Sequence, residues 1–137
     1  MARERDEATI AKLKELSVGL FSDDITKARL AARSLSWMQE DGLLILKQAL
    51  FGNFPRTTKK SAAYGLRSMQ GRMKKPGIEV LEQGLKNRNA TTKAACKKSL
   101  KLIREAKAKK RANIEKQKQE QAAAKAKREQ AEQAKPE

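Results

Sequence analysis

Three stretches of the sequence are variants of one pattern: Leu16-Ser-Val-Gly-Leu20, Leu46-Lys-Gln-Ala-Leu50 and Leu81-Glu-Gln-Gly-Leu85. Each is followed by a short polar turn, by a threonine, and by a leucine 15 or 16 residues after its own last leucine. Recurrence every 30 to 35 residues in a helical sequence is typical of stacked helical hairpins, because no single hairpin can bury its apolar face alone. The repetition predicts an all-α fold, a short right-handed α-solenoid.

Apolar spacing and capping residues predict where the helices lie. Isoleucine and leucine recur at helical spacing over about residues 6–21. Ser22-Asp23-Asp24 is a cluster of capping residues before the next helix, and Gly52-Asn53 is a helix-stop signal. Further along, the sequence predicts helices from Ile25 to near Trp37-Met38, from Asp41-Gly42 to Phe51, from Pro55 to Leu66, from Ile78 to Leu85 and from Thr91 to Ile103, with a loop over Met69–Gly77.

The chain divides by composition into a repeat domain and a tail. Residues 105–137 consist almost entirely of Ala, Lys, Arg, Glu and Gln, which are strong helix formers. They lack an apolar stripe that could dock on the rest of the chain. We predict a helical repeat domain over residues 1–104 and a helical or disordered tail over residues 105–137, with the helix continuing to about Ile114 and fraying beyond it.

The chain is strongly basic, and its charge is unevenly distributed. It carries 32 Lys and Arg against 16 Asp and Glu, a net charge of +16 with a pI near 10.2. Residues 42–104 hold 15 of the basic residues and only two acidic ones, Glu79 and Glu82. Such a balance predicts attraction to polyanions, chiefly nucleic acid.

Residue types that are absent exclude several classes of chemistry. There is no histidine, and the single cysteine, Cys96, cannot form an intrachain disulfide, which is typical of a reducing compartment. Asp23, Asp24 and Asp41 stand where helix caps are expected, and Cys96 is predicted to be a buried thiol. We therefore expect no enzymatic activity, metal site, cofactor or small-molecule substrate. Without a long apolar run, we also expect a cytoplasmic protein that does not bind membranes.

Alanine-rich helices at residues 28–35 and 61–66, together with Leu46-x-x-Ala49-Leu50, resemble HEAT-like repeats of the short bacterial kind. The resemblance covers about residues 8–104. It implies a scaffold for protein or nucleic-acid partners, and some relatives recognise damaged DNA. Asp24 occupies the usual acidic position before a first helix, whereas Arg56 and Asn89 occupy that region in later copies. This change toward basic residues favours a polyanion as the partner.

Two predicted helix starts carry basic residues beside threonines. In a solenoid, equivalent helix starts lie side by side, and each offers free backbone N–H groups and a partial positive charge to a phosphate. The alternative explanation is that the threonines only cap helices and the cations only keep the surface hydrated. The candidate contacts at these starts are Arg56, Thr57, Thr58, Lys59, Lys60, Arg88, Thr91 and Thr92.

The last predicted helix carries a row of basic residues. Lys93, Lys97 and Lys101 repeat every four residues, on the face opposite Cys96 and Leu100. Like charges at this spacing destabilise a helix unless an anion neutralises them. The candidate phosphate contacts in this row and its continuation are Lys93, Lys97, Lys98, Lys101, Arg104, Lys107, Lys109, Lys110 and Arg111.

These patterns lead to three hypotheses about function. The first is a non-enzymatic nucleic-acid-binding scaffold, with RNA within a ribonucleoprotein favoured over DNA and with contacts mainly to the backbone. The second is a protein-interaction adaptor that uses the apolar inner helices at residues 42–51 and 77–86. The third is a DNA-repair-type HEAT-like protein, which the short chain and the lack of an acid beside an aromatic pocket disfavour.

Overall fold

The computed structural model describes residues 6–133, and within this range the chain is all-helical. No strand occurs among these residues, which confirms the predicted all-α class. A short 3₁₀ helix lies between the fourth and fifth α-helices. The helices are α1 (Glu7–Leu20), α2 (Ile25–Leu35), α3 (Gln39–Phe51), α4 (Arg56–Arg67), the 3₁₀ helix (Gly71–Met73), α5 (Lys74–Gly84) and α6 (Ala90–Gln133).

Side-chain caps begin the first two helices. The Asp6 carboxylate accepts a hydrogen bond from the backbone N–H of Thr9 at 2.7 Å, and Asp24 accepts one from Thr26 at 2.9 Å. Each bond satisfies a backbone donor that has no partner inside its helix. Asp24 therefore caps α2 as the sequence predicted, and Gly52 caps the end of α3, also as predicted.

The turn between α2 and α3 differs from the prediction. Helix α2 ends at Leu35, and α3 begins at Gln39, so that Asp41 lies within the first turn of α3 and is not its cap. Gln39 has a φ of 55°, in the left-handed region that residues other than glycine rarely adopt. Helix α3 begins at this residue and therefore starts earlier than its apolar pattern indicates.

The predicted loop over Met69–Gly77 is largely helical. The 3₁₀ helix begins at Gly71, whose backbone is left-handed, and leads directly into α5, which begins at Lys74. Pro76 is compatible with this start because the first turn of a helix leaves its backbone N–H groups without intrahelical partners. Met69 and Met73 are both buried, so the segment packs on the core instead of looping away from it.

Small residues allow the helices of the core to approach closely. Helix α4 contacts α2, α3 and α5, and α2 also contacts α1. A Cβ added at Gly65 would lie 2.7 Å from a Leu46 methyl carbon and 2.9 Å from the Ala32 carbonyl oxygen. The fully buried alanines and leucines around these contacts are Ala28, Ala32, Ala62, Leu20, Leu35, Leu46, Leu50 and Leu81.

The chain divides into two compact units, and the boundary falls within α6: the first unit ends at Lys101 and the second starts at Leu102. In the second unit, every described side chain from Arg104 to Gln133 is exposed. The prediction that the helix frays beyond Ile114 is wrong for the described residues, because α6 continues to Gln133. The helix-forming composition of this segment therefore suffices for helix without an apolar stripe.

Substitution of Gly42 by alanine tests the packing of α2 on α3. A Cβ at this position would lie 1.8 Å from the backbone oxygen of Leu35, so one helix must shift. We expect Gly42→Ala to lower the free energy of unfolding by about 1–3 kcal/mol, despite the higher helix propensity of alanine. Urea unfolding followed by circular dichroism measures the change. Gln48→Ala, at an exposed position of the same helix, is the control and should change stability by less than about 0.5 kcal/mol; equal effects would contradict the packing.

Candidate nucleic-acid interface

The start of α4 is open to solvent. Pro55 precedes the helix and makes no side-chain capping bond, so the first N–H groups of α4 have no side-chain acceptor. Arg56 and Lys60 are exposed and lie one turn apart, and Thr57 between them is half-buried. This helix start combines free donors, the positive end of the helix and two cations, which is the chemistry that binds a phosphate.

The start of α6 is already capped by its own chain. The side-chain oxygen of Asn89 accepts a hydrogen bond from the N–H of Thr92 at 3.1 Å, and Asn87 accepts one from Asn89 at 2.8 Å. Asn89, and not Thr91, therefore caps this helix. Arg88 is exposed and Thr91 half-buried beside it. Since Asn89 occupies one of its donors, this start offers less to a phosphate than the start of α4 does.

Three of the predicted contact residues are buried. Thr58, Lys59 and Thr92 have side chains that are at most 2% exposed. The prediction that these side chains contact nucleic acid is therefore wrong for this structure, because a phosphate cannot reach them. A lysine rarely enters a protein core, and the burial of Lys59 reflects a specific set of hydrogen bonds.

The Lys59 ammonium lies in a polar cluster that joins three helices. Its Nζ donates to the Leu50 carbonyl oxygen at 2.7 Å and to Thr92 Oγ1 at 2.5 Å, and the Thr92 hydroxyl donates to the same Leu50 oxygen at 2.9 Å. The Leu50 carbonyl belongs to the last turn of α3, where carbonyls lack intrahelical donors and a cation is favoured by the helix dipole. The cluster fixes the end of α3 against α4 and the start of α6.

Burial shifts the ionisation of two groups near this cluster. It lowers the pKa of Lys59, whereas the nearby Cys96 thiol acts in the opposite direction. Burial raises the pKa of Cys96 to about 11, and the charge of Lys59 counters part of that shift. Cys96 is fully buried, which confirms the prediction of a buried thiol.

The part of α6 in the first unit presents its lysines to solvent. Thr92, Ala95, Cys96 and Ser99 are buried at helical spacing, and the Ser99 hydroxyl contacts the Ala63 carbonyl oxygen at 3.5 Å. The lysines occupy the remaining positions, so the buried face of the helix fixes the direction of its charged face. Glu105 follows Lys101 by four residues and ends this purely basic run. The exposed lysines, here called the α6 lysine row, are Lys93, Lys97, Lys98 and Lys101.

The second unit holds the remaining candidates. All of them are exposed on α6, and no described side chain beyond Ile103 is buried. The unit can therefore offer charge but no shaped pocket. These candidates are Arg104, Lys107, Lys109, Lys110 and Arg111.

Sequence reasoning missed a cluster of two arginines around one tyrosine. The guanidinium carbons of Arg29 and Arg67 lie 5.6 and 5.1 Å from the centre of the Tyr64 ring. Tyr64 and Arg67 are three residues apart in α4, a spacing visible in the sequence. Arg29 joins them only because α2 packs against α4. Trp37 is 67% exposed in the turn after α2.

Comparison with known proteins identifies no relative: no family model matches the chain, and neither curated proteins nor solved structures give a significant match. Among residues 6–133, no helix is long and apolar enough to cross a bilayer. In the same range, no group of three or more Cys, Asp and Glu side chains is arranged to hold a metal ion.

A double-mutant cycle tests the buried cluster. Thr92→Val removes a hydroxyl that both accepts from Lys59 and donates to Leu50, and we expect a loss of about 2–3 kcal/mol of unfolding free energy because a buried charge loses a partner. Lys59→Met removes the buried charge, which then needs no hydrogen-bond partners. The loss of unfolding free energy caused by Thr92→Val should therefore be smaller by at least about 1 kcal/mol in the Lys59→Met background than in the natural chain. Thr91→Val, half-buried at the same helix start, is the control. Additive effects of the two substitutions would contradict the cluster.

The raised pKa of Cys96 predicts how stability depends on pH. The folded thiol keeps its proton up to about pH 11, whereas the unfolded thiol loses it from its ordinary pKa of 9 upward. The contribution of the protonated Cys96 thiol to the free energy of unfolding is therefore complete below pH 9. As the pH rises toward 11, the free energy of unfolding falls by on the order of 2 kcal/mol. Urea unfolding between pH 8 and about 10.5 should show a steeper loss for the natural chain than for Cys96→Ala. Equal slopes would contradict a protonated, buried thiol.

Proposed function

We propose that this chain is a non-enzymatic scaffold that binds nucleic acid, with RNA favoured over DNA, through phosphate contacts. The observation that carries the proposal is the α6 lysine row, four exposed lysines on a helix face whose direction is fixed by the burial of Thr92, Ala95, Cys96 and Ser99 on the other side. A row of lysines on a packed helix can contact successive phosphates without the entropy cost of first ordering the backbone that carries it.

The charge around this row also favours a polyanion as the partner. Residues 42–104 carry 15 basic side chains and only two acidic ones, so the region has few carboxylates of its own for charge compensation. Lys93 and Lys97 are one turn apart and repel one another. A phosphate backbone would neutralise them and release its condensed counterions, which makes such binding favourable and strongly dependent on salt.

The rest of the first unit supplies a second group of contacts in this proposal. Arg56 and Lys60 stand at the uncapped start of α4, with Arg88 at the start of α6. We propose that the helices of the first unit are stacked as a short right-handed solenoid of HEAT-like hairpins, which the contact of α2 with α4 supports. Helix starts on one edge of such a stack would meet the nucleic-acid backbone without reading bases.

The second unit is proposed to act as an electrostatic anchor. Residues 105–137 have a net charge of +4, and their described side chains are exposed. Exposed Lys and Arg on a helix without large apolar side chains attract phosphates, but they form no specific pocket. In this proposal the unit raises affinity for any nucleic acid, and the first unit determines how the ligand is oriented.

A protein-binding adaptor remains the second candidate, and one feature favours it. A groove of about 530 Å³ is lined by Ile10, Leu13, Val18 and Ile45, with Lys14 and Ser17 beside them. Val18 is 74% exposed, and Leu44 on α3 is also exposed. Such a groove would accept an apolar side chain of a protein partner, and it involves α1 as well as the predicted inner helix α3.

Charge reversal of the α6 lysine row tests the nucleic-acid proposal. Fluorescence anisotropy with labelled single-stranded RNA, RNA duplex and DNA duplex across a salt series measures affinity and its salt dependence. We expect the triple variant Lys93→Glu, Lys97→Glu, Lys101→Glu to weaken binding by at least about tenfold. The slope of the logarithm of the binding constant against the logarithm of the salt concentration should become shallower by about 2, because up to three phosphate contacts are lost.

The matched control reverses the same number of charges elsewhere. Lys12, Lys14 and Lys27 are exposed on α1 and α2, so their triple change to Glu alters the net charge equally. This control should bind clearly more tightly than the α6 variant. Equal losses would show that only net charge matters, and absence of salt-sensitive binding by the natural chain near physiological ionic strength would contradict the nucleic-acid proposal and favour the adaptor.

A further inference from the structure

The cluster of Arg29, Tyr64 and Arg67 brings two like charges together around one aromatic ring. Since both guanidinium carbons lie within 5.6 Å of the same ring centre, they are at most about 11 Å apart. Within residues 6–133 neither arginine has a carboxylate at ion-pair distance. Two cations are thus held near each other without an acidic partner, an arrangement that costs free energy unless an anion enters.

The environment of Arg67 strengthens this imbalance. Arg67 and Tyr64 are half-buried, whereas Arg29 is exposed. Burial lowers the pKa of Arg67, the interaction with Tyr64 acts in the opposite direction, and repulsion from Arg29 lowers the pKa further. Even so, a guanidinium stays protonated at neutral pH. A charge that is partly removed from water and close to another cation interacts more strongly with an incoming anion than a fully solvated lysine does.

The tyrosine ring orients the two guanidinium groups. A guanidinium over an aromatic face is attracted by the ring and restricted in its rotation. Arginine recognises phosphate by paired, planar hydrogen bonds, and each side chain that is already ordered loses less entropy on binding. The ring and its two arginines therefore form a preorganised set of donors on the surface shared by α2 and α4.

We propose that Arg29, Tyr64 and Arg67 form a binding site for the phosphate backbone of a bound nucleic acid. The site lies outside every group of residues assigned from the sequence. It deepens the nucleic-acid-binding function and rests on that function for the identity of the ligand. The site extends the contact surface to α2, which otherwise carries none of the candidate residues.

Tyr64 is the only tyrosine of the chain, so its ring signals report on this site alone. The test is a pair of titrations of full-length protein carrying ¹³C-labelled tyrosine, one with inorganic phosphate and one with a short oligouridylate RNA. We expect the Tyr64 signals to shift saturably in both titrations. The double variant Arg29→Gln, Arg67→Gln should abolish both shifts and weaken RNA binding about tenfold.

A matched variant and a stability measurement separate binding from a structural role. Lys27→Gln with Arg33→Gln removes two charges from exposed positions of α2, and it should leave the Tyr64 shifts in place. Arg29→Gln relieves the repulsion on Arg67, so its melting temperature should equal or exceed that of the natural chain. The comparison of Arg29→Gln with the double variant has one outcome that overturns the proposal. If Arg29→Gln lowers the melting temperature and the double variant Arg29→Gln, Arg67→Gln still shows the ligand-induced Tyr64 shifts of the natural chain, the arginines only pack on the ring.

The remaining outcomes distinguish this site from the proposed function. RNA that binds by anisotropy without moving the Tyr64 signals would overturn the site and leave the function standing. A saturable phosphate shift without RNA binding would support an anion site and reject the nucleic-acid function. No shift with either ligand and no RNA binding would overturn both.

Discussion

The buried ammonium of Lys59 is the constraint on which the first unit depends. A charge removed from water must be matched by hydrogen bonds, and Lys59 finds them at the Leu50 carbonyl and the Thr92 hydroxyl. These partners lie at the end of α3 and the start of α6, so helices distant in the chain must keep one relative position. The same contact turns Thr92 inward, which leaves the lysines that follow it on the solvent side of α6.

This arrangement separates the basic residues by role. The charge of Lys59 is compensated inside the protein, whereas Lys93, Lys97 and Lys98 on α6 and the cations at the start of α4 are exposed to solvent. Arg29 and Arg67 form a third kind, held by an aromatic ring without a carboxylate partner in the described part of the chain. Net charge alone would count all of them equally, yet only the exposed and ring-held groups can contact a phosphate.

Local features of the fold followed from the sequence, and features that depend on tertiary contacts did not. The first helix, the Asp24 cap and the Gly52 stop depend on neighbouring residues, and their patterns predicted them. The Lys59 cluster joins residues 9, 33 and 42 positions apart, and nothing local to Lys59 distinguishes it from the exposed Lys60. The helical segment after Met69 and the approach of Arg29 to Tyr64 likewise depend on packing between elements.

Lysine acylation read by mass spectrometry, with and without RNA, tests most directly whether the basic residues divide in this way. The account predicts that Lys59 reacts slowly in both conditions, that the α6 lysine row reacts readily and becomes protected by RNA, and that Lys12 and Lys14 react equally in both. Fast acylation of Lys59 in the folded protein would contradict the buried cluster. Protection spread evenly over all lysines, or none in the α6 lysine row, would contradict the proposed binding face.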